Sequence, residues 1–297
     1  MKTMTAEENA NVHQIKNKKR SLWRDVWRRL CKNKLAVVAM VVIVIIVLSA
    51  VFAESLTPYD YSKQDAYSRL QYPSWEHPFG TDNFGRDILT RVLKGGQTSL
   101  LITLISTAAA ALTGSIMGAT AAYFKGAYAT IVMRLMDVIM GIPALLFAVC
   151  ISVALGSGVV NTIIAITIPA VTGFCRMAYA QVLKESNNEY IQAATICGAK
   201  DLRKVFRHLI PNSMAPLIIQ MTLRLGGGIM IISSMSFIGL GVQPPTPEWG
   251  SIISGARQYI RDFWPIVTFP GIAIALTVIA FNLFGDGLRD ALDPRQK

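Results

Sequence analysis

Charge is scarce in this chain. Only 16% of its 297 residues are Asp, Glu, Lys or Arg, whereas a soluble domain carries about 25%. With 52% hydrophobic residues and a mean hydropathy of +0.42, this shortage excludes an ordinary water-soluble globular protein and predicts a polytopic membrane protein. Histidine is scarcer still. His13, His77 and His208 lie far apart and offer no paired imidazoles for a metal or for acid–base work. The four cysteines, Cys31, Cys150, Cys175 and Cys197, show neither a zinc-site spacing nor a pairing pattern. The G-x-x-x-x-G-K-S/T loop that cradles nucleotide phosphates is missing, so ATP chemistry is not expected in this chain. No polar stretch is long enough to form a separate soluble domain, which argues against a scaffold or sensor.

What is present is a series of long uncharged runs. Segment 1–34 holds ten Lys or Arg. Its first fifteen residues are expected to be disordered. Leu22, Trp23, Val26, Trp27 and Leu30, interleaved with arginines, predict a basic amphipathic helix at the membrane surface with Trp at headgroup level. Residues 35–53 are 19 uncharged residues, close to the roughly 20 that cross a bilayer. Residues 54–94 read as an ordered outer loop and an interfacial helix. Within it, 77–89 is expected to form a short helix capped by Thr81 or Asp82, with i,i+4 pairs Asp82–Arg86 and Asp87–Arg91.

Residues 95–285 predict a core of five more spans. The second runs over 95–124, where Gly114-x-x-x-Gly118 lets a neighbouring helix approach. Residues 138–175 are uncharged over 38 positions and are divided by Gly156-Ser157-Gly158. They give a third span at 131–154 and a fourth at 159–178, kinked at Pro143 and Pro169. The fifth, 212–238, contains Gly226-Gly227-Gly228, which suggests close contact or a flexible point. A Gly/Pro-rich exit (237–249), an interfacial helix (250–262) and a sixth span (264–285) follow, and 286–297 closes the chain.

Basic residues set the orientation. With the N-terminus inside, 21 of 29 Lys and Arg fall on cytoplasmic segments and seven outside, so six spans run N-in and C-in. The net charge of +11 is accounted for by lipid headgroups beside the spans, and nucleic acid is not an expected partner. Arg224 is the remaining one, about three turns into the fifth span. A charge at that depth marks a cavity, a partner or a pathway. It fits either a translocation path or a structural pair with Asp137.

The polar stretch 186–212 is then cytoplasmic. Ser186 with Glu189 has capping-box spacing. Tyr190, Ala193, Ala194 and Cys197 share one helix face. Gly198 suits a left-handed helix end. A second helix is expected with Leu202, Val205, Phe206 and Leu209 on its apolar side, Arg203, Lys204 and Arg207 opposite, and a stop at Pro211. By these residues alone the stretch is either a solvated connection or a docking element for another protein.

Several strings carry a resemblance. FGTDNFGRDIL at 79–89, EYIQAA at 189–194 followed by Gly198 and HLIPN, SFIGLGVQPPTPEWG at 236–250 and NLFGDGLRDALDPR at 282–295 resemble the C-type permease of the dipeptide/oligopeptide/nickel ABC importers. The 186–212 stretch is similar to that family's EAA loop, with Gln192 in place of its name-giving Glu and His208 where an apolar residue is usual. The resemblance implies a type I importer permease fold, all-α with six spans. It implies a coupling helix that meets an ATP-binding subunit through Glu189, Tyr190, Ala193, Ala194, Gly198 and Ala199. It further implies a second homologous permease, two ATP-binding subunits that hold ATP and Mg, an extracytoplasmic binding protein, and a bacterial or archaeal cytoplasmic membrane. Arg224 and Asp137 are candidates for the pathway formed by spans two to five. Asp60, Gln243 and Trp249 on the outer loops are candidates for binding-protein contact. The implied cargo is di- or oligopeptide, with nickel or a metal chelate as the alternative in the same family. A stand-alone secondary transporter is the reading from another class.

Overall fold

The computed structural model describes residues 22–292. The disorder expected of the first fifteen residues and the end of the C-terminal segment lie outside the described residues. Helix α1 (Leu22–Leu30) forms as expected. Leu30 is buried with Ala36, Leu288 and Ala291, beside the partly buried Val26, while Trp27 stays exposed. Its apolar face therefore packs on the chain's own last helix. The Asn33 side chain accepts from the Leu35 and Ala36 amides at 3.1 and 3.3 Å and so starts α2 (Lys34–Val51), the first span.

Residues 77–87 depart from the expected short helix. They form turns closed by a bridge between Thr81 and Asp87. Asp82 Oδ1 accepts from the Phe84 and Arg86 amides, and such local side-chain bonds compete with a helix. Asp87 is instead the N-cap of α3 (Ile88–Phe124), accepting from the Thr90 amide at 2.7 Å. Interfacial helix and second span are thus one helix of 37 residues, about 55 Å long. Gly95 and Gly96 do not interrupt it, because the Trp249 ring fills the space a Cβ would take.

The third span also differs. α4 (Gly126–Met140) and α5 (Ala144–Leu155) meet at 91°. Pro143 has no N–H to donate back to Ile139, and its ring would strike that carbonyl. α6 (Val159–Glu185) carries Pro169 within it and packs along α3. At Gly114 a Cβ would sit 2.6 Å from the Val171 carbonyl, and at Gly118 it would collide with that of Cys175. The small-residue spacing therefore marks a real helix–helix contact. α9 is Met214–Ile238. Gly226 faces α11 (Pro265–Leu292) and Gly228 faces Thr103 of α3. The expected helix at 250–262 is α10 (Trp249–Gly255) followed by a 3-10 turn at Arg257–Tyr259. Among the described residues five helices are long and apolar enough to cross a membrane, and the bent pair makes six when counted as one span. The described fold is all-helical, as expected.

Candidate functional site: a bare helix pair, a guanidinium cavity and a closed cap

The 186–212 stretch sits at the C-terminal end of α3. α7 (Glu189–Ile196) and α8 (Asp201–Lys204) are joined at Gly198. Gly198 has φ +76°. Its amide bonds the Thr195 carbonyl, and the Ala199 amide bonds that of Ala194, both at 3.0 Å. This is a complete left-handed helix stop. Ser186 is not the cap: it ends α6, its hydroxyl donating to the Leu183 carbonyl. Asn188 precedes α7, and Asn188 Nδ2 and the Tyr190 hydroxyl both donate to Glu185 Oε2, at 2.7 and 3.0 Å.

One side of this pair is anchored and the other is bare. Ile191 is buried with Val182, Val205, Leu209, Ala119 and Ala122. Glu189, Tyr190, Ala193 and Cys197 are exposed, and Ala194 and Ala199 are half-buried. Ile196 is 87% exposed, Leu202 61% and Phe206 48%. The expected apolar stripe of the second helix is therefore divided: Val205 and Leu209 face inward, Leu202 and Phe206 outward. α8 continues into a π turn at Val205–Leu209, with the Ile210 amide bonded to the Val205 carbonyl. The helix then goes on through Ile210–Asn212. Widening the turn accommodates Pro211, which cannot donate to the preceding turn.

Lys204, expected among the outward cations, is buried. Its ammonium reaches Asp201 at 2.9 Å and Thr195 Oγ1 at 3.4 Å and lies over the Tyr123 ring. The Tyr123 hydroxyl donates to Asp201 at 2.6 Å. The Tyr123 hydroxyl, and then Lys204, hold Asp201 below the usual carboxylate range. Tyr123, and then Asp201, hold Lys204 above the usual lysine range. Tyr123 thus ties the spanning helix α3 to α8.

Arg224 and Asp137 do not meet. Asp137 pairs with Arg176 of α6 and, at 3.8 Å, with Arg134. Arg224 has no ion pair among the described residues and lines a cavity of about 670 Å³ between α6, α9 and α11, with Gln220 and Arg289. The sequence pattern pointed to Arg224 but gave no reason to single out Gln220, Arg289 or Gly173 opposite them.

At the other end of α3 the molecule is closed. Asp82, buried, binds the Arg86 guanidinium at 2.7 Å and Arg91 at 3.5 Å. His77 Nδ1 and Asp87 Oδ1 are 3.0 Å apart, so the expected Asp87–Arg91 pair gives way to Asp87–His77 and Asp82–Arg91. Glu248, fully buried, was not anticipated. Its Oε1 accepts from Ser99 and Ser233 hydroxyls at 3.0 and 3.3 Å, and its Oε2 from the Ser251 amide at 2.9 Å. It thereby joins α3, α9 and α10. The signal within reach was Ser251, three residues on, which completes a capping box. Asp60 and Gln243 are exposed on this end. Trp249 is only 2% exposed, its Nε1 donating to the Val92 carbonyl at 2.8 Å, and so offers no surface to a partner in this conformation.

Comparison with known proteins agrees with this architecture. Residues 110–297 match the model of the binding-protein-dependent transport system inner membrane component. Residues 21–73 match the N-terminal TM domain of oligopeptide transport permease C. The chain is 40% identical over 294 residues to the dipeptide transport system permease protein DppC of Alkalihalophilus pseudofirmus, covering 99% of this chain and 97% of that one. It is 42% identical over 280 residues to the di/tripeptide transport system permease protein DppC of Pseudomonas aeruginosa, 92% of each. It is 38% identical over 279 residues to the glutathione transport system permease protein GsiD of Escherichia coli, covering 94% and 92%. With its apolar helices, its bare helix pair and these matches along nearly its whole length, the chain belongs to the family of binding-protein-dependent transport system inner membrane components, the permeases of ABC importers.

Proposed function

We propose that this chain is the permease subunit of an ATP-driven importer of di- and oligopeptides in a bacterial cytoplasmic membrane. It works with a second homologous permease, two ATP-binding subunits and an extracytoplasmic binding protein. ATP and Mg act in the partner subunits. The observation that carries the mechanism is the helix pair α7–α8, bare and apolar on one side and anchored to α3 and α6 on the other. A surface bearing Ile196, Leu202 and Phe206 gains free energy only when another body covers it. Movement of that body is passed on through Ile191, Val205 and Leu209 and through the Tyr123–Asp201–Lys204 contacts. Glu189, Tyr190, Ala193, Ala194, Gly198 and Ala199 shape the docking element. The spans then alternate between outward- and inward-facing arrangements. Arg224 belongs to the pathway, and Asp60 and Gln243 lie on the surface that meets the binding protein.

The peptide cargo is supported by the names of the relatives similar over almost the full chain. The test is purification from native membranes in mild detergent with mass spectrometry of the bound proteins, followed by uptake of labelled dipeptide in reconstituted vesicles. A second permease and ATP-binding subunits in stoichiometric amounts, with ATP-dependent uptake, are expected. A chain that purifies alone and transports without ATP contradicts the proposal and favours a secondary carrier.

A further inference from the structure

The cavity around Arg224 has a composition that asks for a particular ligand. Two guanidinium groups line it, Arg224 from α9 and Arg289 from α11, and among the described residues no carboxylate does. Asp137, the acidic group expected to neutralise Arg224, is engaged with Arg176 instead. Gln220 Oε1 is buried there with no hydrogen-bond partner among the described residues and, as an acceptor, suits an N–H of a ligand rather than its carboxylate. Apart from Gln181, the remaining wall is apolar, with Met177, Ile219, Leu223 and Leu292. Gly173 of α6 completes it. A Cβ at that position would lie 2.8 Å from Gln220 Nε2 and 3.3 Å from Arg224 Nη2, so bare backbone backs both head groups. Arg224 is ten residues into α9, roughly 15 Å from its start. Arg289 is exposed near the end of α11. The cavity therefore runs inward from the end that carries α7 and α8.

A guanidinium held among apolar walls without a counter-ion is costly, and an arriving anion relieves that cost. A planar carboxylate matches the guanidinium fork. We infer that this cavity is a carboxylate site on the inner half of the translocation path. Its ligand is the α-carboxylate that every linear peptide carries whatever its side chains, with Arg224 as the principal cation, Gln220 beside it and Arg289 at the mouth. The inference rests on the peptide-importer reading and adds to it where the passing peptide is held.

The test uses the complete importer in nanodiscs without its binding protein. Ile219→Cys places a reporter on the cavity wall, with the exposed Cys31, Cys150 and Cys197 changed to Ser, and Ala215→Cys serves as a second reporter if the first disturbs assembly. Maleimide labelling is timed against dialanine, against dialanine amide and against the phosphatidylglycerol content of the disc. Dialanine is expected to slow labelling about tenfold at saturation, the scale of one charge-assisted contact. The amide is expected to have no effect. Arg224→Gln removes the protection and Arg224→Lys restores part of it. Equal protection by the amide, protection that follows the anionic lipid, or no protection in a complex that still takes up dialanine when reconstituted in sealed vesicles with its binding protein overturns the carboxylate site. A complex with no peptide uptake in those vesicles overturns the peptide reading, and this inference with it.

Discussion

The two ends of α3 are built on opposite principles. At its N-terminal end the polar groups are paired with one another, Arg91 Nε alone of the named groups making an ion pair without a hydrogen bond: Asp82 faces two arginines, Asp87 serves His77 and a helix cap, and Glu248 gathers two serine hydroxyls and an amide. Trp249 is buried in a groove made by Gly95 and Gly96. At its C-terminal end, Ile196, Leu202 and Phe206 are left in the open. The first end is knit together by its own side chains; the second, on the proposed reading, is covered by another subunit. A subunit driven from one side needs this division, because force applied to the docking pair must meet a frame that does not yield.

The largest expected effect breaks the second end. Gly198→Pro places a residue fixed near φ −65° where φ is +76°. It should reduce ATP-dependent uptake by about 100-fold or more while membrane insertion stays normal, the loss being that of a whole coupling geometry. Normal uptake at normal expression contradicts the role given to this turn. Asp82→Ala breaks the first end. It strands Arg86 and Arg91 in a buried site and should cost about 3–5 kcal/mol of stability, read as a drop in thermal midpoint of the purified complex. Glu248→Ala leaves two buried hydroxyls and a helix start without their acceptor, for about 2 kcal/mol. A smaller loss than at Asp82 is required, since no cation is stranded.

Tyr123→Phe removes one hydrogen bond between α3 and α8, worth about 1 kcal/mol. It should lower uptake per ATP hydrolysed more than it lowers stability. Equal effects on both would make Tyr123 a structural contact only. The smallest effect concerns pH. Asp201 is depressed, so its contribution is present above about pH 4 and lost as pH falls through its folded value. Lys204 is raised, so its contribution is complete below about pH 10.5 and lost as pH rises through its folded value. Coupling through this cluster should therefore be flat between pH 5 and 9, in the sense of an on-off ratio changing by less than about twofold. A titration step inside that window would remove the Asp201–Lys204 pair from the coupling route.

The contrast also explains which features were legible in the sequence. Uncharged runs locate α2, α3, α6, α9 and α11, because a bilayer rewards uninterrupted apolar length. Gly114 and Gly118 announced the α3–α6 contact, and Gly198 its turn. The break at Pro143 was underestimated as a kink. Apolar composition is the same on both sides of a right-angle bend, so periodicity carries no warning of it. Lys204 was placed on the wrong face because a 3.6-residue period does not anticipate the π turn at Val205–Leu209. A tryptophan on an outer loop suits an interface, but the partners that bury Trp249, Val92, Gly95 and Gly96, are about 150 positions away. The Glu248–Ser99 bond and the Gly173–Arg224 approach are equally remote in sequence. Pairings of that kind follow from packing and leave no local pattern.

On the proposed mechanism an ATP-binding subunit covers the bare face of α7–α8. The most direct measurement is site-specific crosslinking from position 196 in the assembled importer, using Ile196→Cys with a short bifunctional maleimide and mass spectrometry of the product. A crosslink to an ATP-binding subunit, strengthened or weakened as nucleotide is added, is the predicted result. A crosslink formed only within this chain, or to the extracytoplasmic binding protein, or none while ATP-dependent uptake persists, would contradict it.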